Sequence, residues 1–472
     1  MNQFLEAVTN KGYTDNGALT NLSSKSPLVD LMFLAGASRR FSDEEYFTLL
    51  NEAYSDNPKY AIRLMFWAGD IRESLGERKF FSKALRYLYD NHLPIFEAVA
   101  KKVPEYSRWD LLFPFHESEV VMSLIAKEFC LGKDGLLFKW LPREKCKKHK
   151  IFRLKLLRRL NIDNKTYRKI VSEKSDTVEQ QMSAKNWQDI NYKHVPSVAF
   201  SKYKKAFYRN DEDRFADFVN KANKGETTIN AGAIFPYQIV AGLNEYSNSS
   251  EWEAAEAQWK NLPDYLEDAK DKILPLIDLS GSMTCSYGSN VRPIDVATSL
   301  GVYMSERLPA PFKNTLAVFS QKPNFLVLPE GSLKDKLKKM WDSSEVANTN
   351  FYRVFTFMLA IATQNKVPKE DMPNKIMAIS DMEFDEAQDY GHTTNFQEIK
   401  KLYEDSGYDM PDLVFWNVNG RLGNAPATIN DKGVILISGC SPSILKFVLN
   451  GGCDSLKLMQ EIVESPRYSA II

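Results

Sequence analysis

The chain has 472 residues with 61 basic and 61 acidic side chains, so its formal net charge at neutral pH is zero. A chain of this length can form two or more domains with separate cores. No apolar run reaches the about 20 residues that span a bilayer, and the first residues lack the basic and apolar parts of a signal peptide. The five cysteines include no C-x-x-C pair, which argues against a disulfide framework or a zinc site. Composition therefore favours a cytoplasmic protein without a membrane partner.

The first part of the chain has the pattern of short helices. Residues 1–27 are rich in Asn, Ser, Thr and Gly and are expected to form a partly ordered N-terminal segment. From residue 28 to residue 268, apolar residues recur at helical spacing between short loops, which predicts a domain of irregular helix pairs, an α-helical repeat. The clearest predicted helices are Pro58–Trp67, Lys79–Tyr89, Ile95–Val103, Ser118–Cys130, Phe152–Leu160, Asp211–Asn223 and Ser250–Leu262.

The pattern changes near residue 268, where short apolar runs begin to alternate with helical stretches. This alternation over residues 269–472 predicts a mostly parallel, doubly wound α/β sheet. The predicted strands are Ile273–Leu279, Thr315–Phe319, Phe325–Leu328, Ile376–Ser380, Leu413–Val418 and Val434–Ile437. The predicted helices between and after them are Ile294–Arg307, Leu333–Trp341, Phe351–Ile361, Asn395–Tyr403, Ser441–Leu449 and Asp454–Val463.

Three oxygen-bearing residues follow the first predicted strand of this part. The apolar run Ile273–Ile277 leads into Asp278, Ser280 and Ser282, which form a D-x-S-x-S array. One carboxylate and two hydroxyls are hard ligands of the kind that Mg²⁺ or Mn²⁺ takes in proteins. The alternative is an ordinary helix N-cap, for which Ser and Asp are also preferred.

The array resembles the metal-ion-dependent adhesion site of von Willebrand factor A domains, which have a Rossmann-like fold. In that family a threonine and an aspartate from later loops complete the site. Thr349 precedes a helical stretch and Asp381 ends the apolar strand Lys375–Ser380, so both stand where the family has those residues. The resemblance implies an A domain in which Mg²⁺ or Mn²⁺ holds a carboxylate of a protein partner. The implied ligands, some through water, are Asp278, Ser280, Ser282, Thr349 and Asp381.

Basic residues are concentrated in one window of the helical part. Residues 1–270 carry 41 basic and 37 acidic side chains, and the window 139–169 alone has 13 basic residues against Glu144 and Asp163. Such a block attracts polyanions such as RNA, with a marked dependence on salt. The alternative is a solvated helix face, and aromatic residues are too sparse for base-specific reading. The candidate phosphate contacts are Lys147, Lys148, Lys150, Arg153, Arg158 and Arg159.

A charged loop between two apolar helices, residues 70–79, carries a second resemblance. It is similar to the RDxRGGxGER signature in the helical, HEAT-like TROVE module of Ro autoantigens, which are ring-shaped RNA-binding proteins that also contain a von Willebrand A domain. Arg72, Gly76, Glu77 and Arg78 match the signature, whereas Glu73-Ser74 replaces its glycine pair. The resemblance implies RNA contacts at Arg72 and Arg78.

Further segments extend the resemblance over most of the chain. Residues 103–110, 182–187, 195–197 and 234–237, with the D-x-S-x-S array, look like a family of fused TROVE-like and von Willebrand A proteins that is described as a domain of unknown function. Within the first of these segments, Arg108 is a further candidate RNA contact. The alternative is that Arg72, Arg78 and Arg108 pair with neighbouring acids. Trp109 and Trp187 are expected to be packing anchors.

Catalysis is not expected. The five histidines are scattered, and both G-x-S-x-G and Walker-type loops are absent. The leading hypothesis is a non-catalytic scaffold that holds small non-coding or single-stranded RNA on its helical part and a protein partner through the metal site. A second hypothesis is a purely structural assembly component, for instance of a viral particle, without nucleic acid. A metal-dependent hydrolase that uses the acidic run 381–386 is the third.

Overall fold

The computed structural model describes residues 9–175, 177–286, 291–319, 323–343, 350–386, 393–449 and 453–472. Within these ranges, the helices are all too short or too polar to cross a membrane. A helical half, residues 9–268, precedes a half built on a six-stranded sheet, residues 269–472. The expected combination of a helical part with an α/β part is therefore confirmed.

The helical half begins and ends its helices at residues whose chemistry explains the boundaries. Ser42 and Glu45 form a reciprocal capping box at the start of one helix, and Asn57 caps the next, which has Pro58 in its first turn. Gly132 takes a left-handed conformation after a third. The helices are α1 (Pro27–Ala35), α2 (Asp43–Asp56), α3 (Pro58–Gly69), α4 (Arg78–Asn91), α5 (Leu93–Ala100), α6 (Val103–Tyr106), α7 (Glu119–Leu131), α8 (Gly135–Trp140), α9 (Lys150–Leu160), α10 (Asn164–Lys174), α11 (Val178–Ser183), α12 (Ser197–Asn210), α13 (Glu212–Asn223), α14 (Pro236–Val240) and α15 (Ser249–Lys260).

All seven clearest predicted helices are present, with ends that differ by a few residues. The prediction missed α10, α11 and α12, which lie between residues 160 and 211. Helix α10 carries few apolar residues, with only Tyr167 and Val171 buried, so its periodic signal in the sequence is weak.

The N-terminal segment, which was expected to be partly ordered, contains a β-hairpin. Strands β1 (Lys11–Tyr13) and β2 (Leu19–Asn21) pair antiparallel. The hairpin is attached to the sheet half, because the Asn21 N–H donates to the Ala425 carbonyl at 3.1 Å and the Ala425 N–H donates back at 2.8 Å. Strands of three residues are too short to produce an alternating pattern, so the sequence did not reveal them.

The sheet half has the strand order β5-β4-β3-β6-β7-β8. Only the edge strand β5 runs antiparallel to its neighbour; the other described pairs are parallel. Every residue of β3 and β6 is buried, as expected for parallel strands that are covered on both faces. The strands are β3 (Ile273–Asp278), β4 (Thr315–Phe319), β5 (Asn324–Val327), β6 (Lys375–Ser380), β7 (Asp412–Asn417) and β8 (Val434–Ser438). The helices are α16 (Pro293–Arg307), α17 (Leu333–Asp342), α18 (Phe351–Gln364), α19 (Asn395–Ser406), α20 (Leu445–Val448), α21 (Ser455–Glu464) and α22 (Pro466–Ser469).

Helix α1 packs on the sheet and joins the two halves in one hydrophobic core. Ser438 at the end of β8 donates its hydroxyl to the Met32 carbonyl at 2.8 Å and accepts the Gly36 N–H at 2.9 Å. The main cluster of buried apolar residues runs from α1 through the sheet to the last helices. A smaller second cluster lies around Phe200, Phe207 and Phe215. The change of secondary structure near residue 268 is therefore not a break in packing.

The helical half contacts the sheet half at both of its ends. Near its beginning, Asp70 is buried against Arg467 and Tyr468 of the C-terminal helix α22. Near its end, the Trp259 indole donates to Glu306 of α16 at 2.7 Å. The beginning and the end of the helical half also approach each other, because a Cβ added at Gly76 would lie 3.2 Å from the Cζ atom of the Phe235 ring.

Candidate metal centre and basic surface

The metal-site prediction depends on two neighbouring strands. Strands β3 and β6 are parallel and in register, with Ile277 opposite Ile379, so their carboxyl ends meet at the same edge of the sheet. Asp278 is the last residue of β3, and Asp381 directly follows β6. The Ser380 hydroxyl donates to the Asp278 carboxylate at 2.6 Å. Both aspartates are almost completely buried.

The turn after β3 brings the two serines to the same place. The Ser280 N–H donates to the Asp278 carboxylate at 2.9 Å, which curls the chain into the 3₁₀ turn Gly281–Thr284. The Ser280 and Ser282 hydroxyl oxygens are 3.1 Å apart, and the Ser282 hydroxyl lies near enough to Asp381 to oppose the rise in the pKa of that carboxyl. Four of the five predicted ligands thus converge; the fifth, Thr349, lies outside the described residues.

Electrostatics disfavours two charged carboxylates at this place. Burial raises the pKa of Asp278 to about 6, although the hydrogen bonds from Ser280 and Ser380 oppose the shift. Burial and, second, the charge of Asp278 raise the pKa of Asp381 to about 7. A cation between the carboxylates would remove both penalties. The donor set of two carboxylates and two hydroxyls fits Mg²⁺ or Mn²⁺.

Carboxylates alone would not build this site. Across the described ranges, no group of three or more His, Cys, Asp or Glu residues is arranged to hold a metal ion. An ion at the ends of β3 and β6 would therefore depend on the serine hydroxyls, as the D-x-S-x-S array predicts.

The loop after Asp381 is fastened by residues that the sequence did not reveal. Glu383, within the acidic run 381–386, has a side chain that is only 4% exposed. Its carboxylate lies 3.1 Å from the Arg421 Nε atom and accepts the Asp15 N–H at 2.7 Å. The N-terminal hairpin also binds this loop through the Thr14 hydroxyl, which donates to the Phe384 carbonyl at 2.7 Å. These partners are distant in sequence, so no local motif marks them.

Some basic residues of the window 139–169 are exposed, and others are already paired with a carboxylate. Lys147, Lys148 and Lys150 are exposed in the loop before α9 and in its first turn, and Arg158 is exposed further along that helix. Arg159 is also exposed, but its guanidinium donates to both Glu119 oxygens, at 2.8 and 2.5 Å. Within the window, five residues lie within 4 Å of a carboxylate. They are Lys139, Lys155, Arg159, Arg168 and Lys169.

Arg153 departs from the prediction that placed it on the phosphate-binding surface. It is buried and hydrogen-bonded to the Asn164 side chain. The reason is helical geometry, because Arg153 shares the buried face of α9 with Phe152, Leu156 and Leu157. It is therefore not part of the exposed basic surface.

The three candidate arginines of segments 70–79 and 103–110 differ in their exposure and in their hydrogen-bond partners. Arg72 donates its guanidinium to the Glu105 and Pro104 carbonyls, whereas Arg78 is exposed at the start of α4. Arg108 donates to Asp110 at 2.8 and 2.5 Å and lies 3.3 Å above the Trp140 ring. Of these three arginines, Arg108 therefore fits the alternative to RNA contact, in which the arginine pairs with a neighbouring acid.

The acids expected as partners of the other two arginines bind elsewhere. Glu77 pairs with Arg39, and Glu73 lies 3.1 Å from Arg467. As expected for a packing anchor, Trp109 is buried, and its indole donates to Asp134 at 2.7 Å. Trp187 is partly buried against the second cluster.

Electrostatic contacts connect these arginines with the lysine loop. The charge of Arg78 acts on Arg108, although burial is the main reason that the pKa of Arg108 is lowered. Burial likewise lowers the pKa of His149, which also feels the charges of Lys148 and Asp110. Asp110 thus interacts with both Arg108 and His149. We refer to the exposed residues Arg78, Lys147, Lys148 and Lys150 as the basic surface.

Fold and site together define a protein with a helical half and a mostly parallel α/β half that carries an oxygen-rich site at the ends of two neighbouring strands. Family models match both halves. Residues 272–467 match a domain of unknown function, DUF7788, and residues 14–95 and 143–271 match another, DUF2828. The two matches meet where the helical pattern gives way to the sheet.

Two similar proteins cover nearly the whole chain. An uncharacterized protein of Acanthamoeba polyphaga mimivirus is 24% identical over 502 residues, which cover 94% of this chain and 85% of the relative. The crystal structure of the Ro (RSR) protein of Deinococcus radiodurans aligns with 93% of this chain and 99% of its own, at 12% identity and a TM-score of 0.35.

Proposed function

We propose that this chain is a non-catalytic binding scaffold. Its helical half, a TROVE-like module, would hold RNA, and its sheet half, a von Willebrand A domain, would bind a protein partner through a divalent cation. The observation that carries this proposal is the convergence of Asp278, Ser280, Ser282 and Asp381 at the carboxyl ends of β3 and β6. Ligands of open parallel sheets generally bind at this edge.

The metal half of the proposal assigns a role to each oxygen. Asp278, Ser280, Ser282 and Asp381 would hold Mg²⁺ or Mn²⁺, with Thr349 as the further ligand. The cation would supply positive charge that attracts a glutamate or aspartate of the partner. The Ser380 hydroxyl and the Ser280 N–H hold the Asp278 carboxylate in position, so this ligand is oriented before any ion binds.

The RNA half of the proposal is supported by the basic surface. Lysine ammonium groups in an exposed loop suit phosphates, which position a nucleic acid without reading its sequence. The Trp140 ring is already covered by Arg108, and the buried Trp109 cannot stack on a base. We therefore propose backbone contact with small non-coding or single-stranded RNA rather than sequence-specific recognition.

A non-catalytic role is proposed because the chemistry around the cation site favours binding. His92, His116, His149 and His194 belong to the helical half, and His392 lies outside the described residues. Serine hydroxyls are weak ligands that leave the cation free to take a partner's carboxylate. Hydrolytic turnover with Mn²⁺ or Mg²⁺ that disappears in Asp381→Asn would contradict this part of the proposal.

The test is purification of the protein from its native cells at moderate salt, followed by sequencing of the bound RNA. A variant with Lys147, Lys148 and Lys150 changed to Glu should lose the RNA. A control variant with three exposed lysines of the sheet half, Lys366, Lys400 and Lys401, changed to Glu carries the same change in net charge and should retain it. Equal recovery of RNA from both variants would exclude the basic surface as the contact.

The second candidate is an assembly component without nucleic acid. It is favoured by the zero net charge and by the ion pairs that already occupy part of the basic window. In the same purification it predicts a stable protein partner and no RNA. Release of that partner by EDTA, or by Asp278→Ala, would support metal-dependent binding of a protein partner. The absence of RNA from the same preparation would contradict the proposed RNA binding.

A further inference from the structure

A cavity in the helical half has a distinctly basic wall. It has a volume of about 410 Å³ and lies between α12, α14 and α15. Three lysines of α12 line it, Lys202, Lys204 and Lys205, whereas Glu251 of α15 is its one acidic lining residue. Ligand pockets in proteins typically enclose about 300 to 1,000 Å³, so this cavity has room for a small molecule or for one unit of a polymer.

Lys204 lies in this wall without a partner. The residue is only 7% exposed, and no hydrogen bond or ion pair joins its ammonium to another described residue; its Nζ atom is not among the described buried atoms that lack a partner, so it is accessible from solvent. The neighbouring carboxylate is already engaged, because Glu251 lies 3.0 Å from the Lys205 Nζ atom. Burial lowers the pKa of Lys204, while the charge of Glu251 opposes that shift. The aliphatic chain of Lys204 is thus buried while its ammonium stays accessible to a ligand.

The charges of the lining residues favour an anion as the ligand of this cavity. Three ammonium groups against one carboxylate leave the cavity with an excess of positive charge. The hydroxyl of Ser201 donates to the Gln238 carbonyl at 3.1 Å, so the lysines are the main donors that face the cavity. Lysine is a common phosphate ligand that acts as a point charge. We propose that this cavity binds a phosphate group, with Lys204 as the central ligand and Lys202 and Lys205 at the rim.

This site goes beyond the proposed function, because it uses neither the basic surface nor the metal ligands. The phosphate could belong to a free nucleotide or to the backbone of RNA. Both sources would place a phosphate group against Lys204. They differ in whether a free phosphate or nucleotide binds when RNA is absent.

The test measures binding of three probes to the full chain by isothermal titration calorimetry. The probes are inorganic phosphate, uridine monophosphate and an oligouridylate. Lys204→Met should weaken binding of the phosphate-bearing probe by about tenfold or more, as expected for loss of a hydrogen bond to a charged group. Lys224→Met is the matched control, because Lys224 is an exposed lysine that does not line the cavity. This control should bind like the unchanged protein.

Two further measurements keep the test independent of folding. Lys204→Met keeps an apolar chain where the lysine stem is buried and removes an ammonium that burial disfavours, so its Tm without phosphate should equal or exceed that of the unchanged protein. Glu251→Gln removes the opposing charge and should tighten phosphate binding. Opposite effects of the two variants on Kd are a signature that general damage to the fold would not produce.

The outcomes separate the possible sources. Binding of phosphate or uridine monophosphate that is lost in Lys204→Met assigns a free phosphoanion. Binding of the oligouridylate alone, lost in the same variant, assigns the RNA backbone. Equal binding by the unchanged protein and Lys204→Met, or binding by neither, overturns the proposal. Phosphate binding that persists when Lys147, Lys148 and Lys150 are changed to Glu would show that this site does not depend on the basic surface. The phosphate proposal would then stand even if the RNA proposal failed.

Discussion

Arg421 forms a largely buried ion pair with Glu383, which lies two residues beyond Asp381 in the chain. The Arg421 Nε atom lies 3.1 Å from one carboxylate oxygen of Glu383, and its Nη2 atom lies 3.3 Å from the other. Because Glu383 also accepts the Asp15 N–H, this one carboxylate connects the candidate metal loop to the N-terminal hairpin. The geometry of the loop therefore depends on residues from both ends of the chain.

Glu383→Gln should destabilise the protein and loosen the hairpin. The change removes the buried carboxylate that pairs with Arg421 and Arg40, and loss of a hydrogen bond to a charged group typically costs about 1.5 to 3 kcal/mol of unfolding free energy. Urea unfolding measures the loss, and hydrogen exchange should accelerate at residues 11–21. Glu404→Gln alters an exposed carboxylate outside any described ion pair and should change neither. Unaltered exchange in the hairpin of Glu383→Gln would show that the pair does not hold it.

Asp278→Ala should abolish divalent-cation binding while the fold is retained. The Asp278 carboxylate accepts the Ser280 N–H at 2.9 Å, yet its raised pKa means that its charge is disfavoured by the surrounding protein. Calorimetric titration with Mg²⁺ and the paramagnetic resonance signal of Mn²⁺ measure the loss. Asp342→Ala, at an exposed aspartate at the end of α17, is the control. Loss of the whole fold in Asp278→Ala would contradict a site that lies at the edge of the sheet.

The stability of the cation-free protein should fall as pH rises from about 4 to about 7. Unfolded aspartates lose their protons near pH 4, whereas the pKa values of Asp278 and Asp381 are raised to about 6 and about 7. Within this window the folded protein holds more protons than the unfolded chain, so its relative stability is greatest at low pH and declines as pH rises.

Added Mg²⁺ should offset that decline, because it replaces the protons between the carboxylates. The gain in Tm on adding Mg²⁺ should therefore be larger at about pH 8 than at about pH 5. Thermal unfolding with Mg²⁺ or with EDTA measures the difference. Asp381→Asn should reduce it strongly, and a gain that is equal at both pH values would argue against proton competition.

Changing Lys147, Lys148 and Lys150 to Gln should reduce the salt dependence of RNA binding. Each contact to a single-stranded phosphate contributes about 0.7 to the slope of log affinity against log salt, so three contacts contribute about 2. Fluorescence anisotropy with single-stranded RNA over a range of KCl concentrations gives the slope. Gln at Lys366, Lys400 and Lys401 is the control. Identical slopes for the two variants would place the RNA elsewhere.

Gly36→Ala should destabilise both halves together. A Cβ at Gly36 would lie 2.5 Å from the Cα of Gly439 and 2.6 Å from the carbonyl carbon of Ser438, and these are backbone atoms that cannot rotate away. Overpacking of this kind typically costs about 1 to 3 kcal/mol. Because one core spans both halves, calorimetry should give a single transition at lower temperature.

Gly232→Ala is the matched control for that prediction. A Cβ at Gly232 meets nothing within 4 Å, so its Tm should remain close to that of the unchanged protein. Separate transitions for the helical and sheet halves of Gly36→Ala would contradict a shared core.

Local patterns in the sequence were sufficient for the architecture and for the core of the candidate metal site. Apolar runs of strand length predicted β3 and β6, and parallel strands place their carboxyl ends at one edge. The proximity of Asp278 and Asp381 follows from these two facts. Helical spacing likewise predicted α9 with its buried face, although the assignment of Arg153 to the surface overlooked that it shares this face.

Only the tertiary structure decided which charges are free and which are engaged. Glu383 and Arg421 are 38 residues apart, and Glu383 and Asp15 are 368 residues apart; neither pair has a sequence signal. The same holds for Lys204, which reads as one lysine of a basic helix but faces a cavity formed with α14 and α15. Secondary structure follows from short-range spacing along the chain, whereas burial and ion pairing depend on which distant segments pack together.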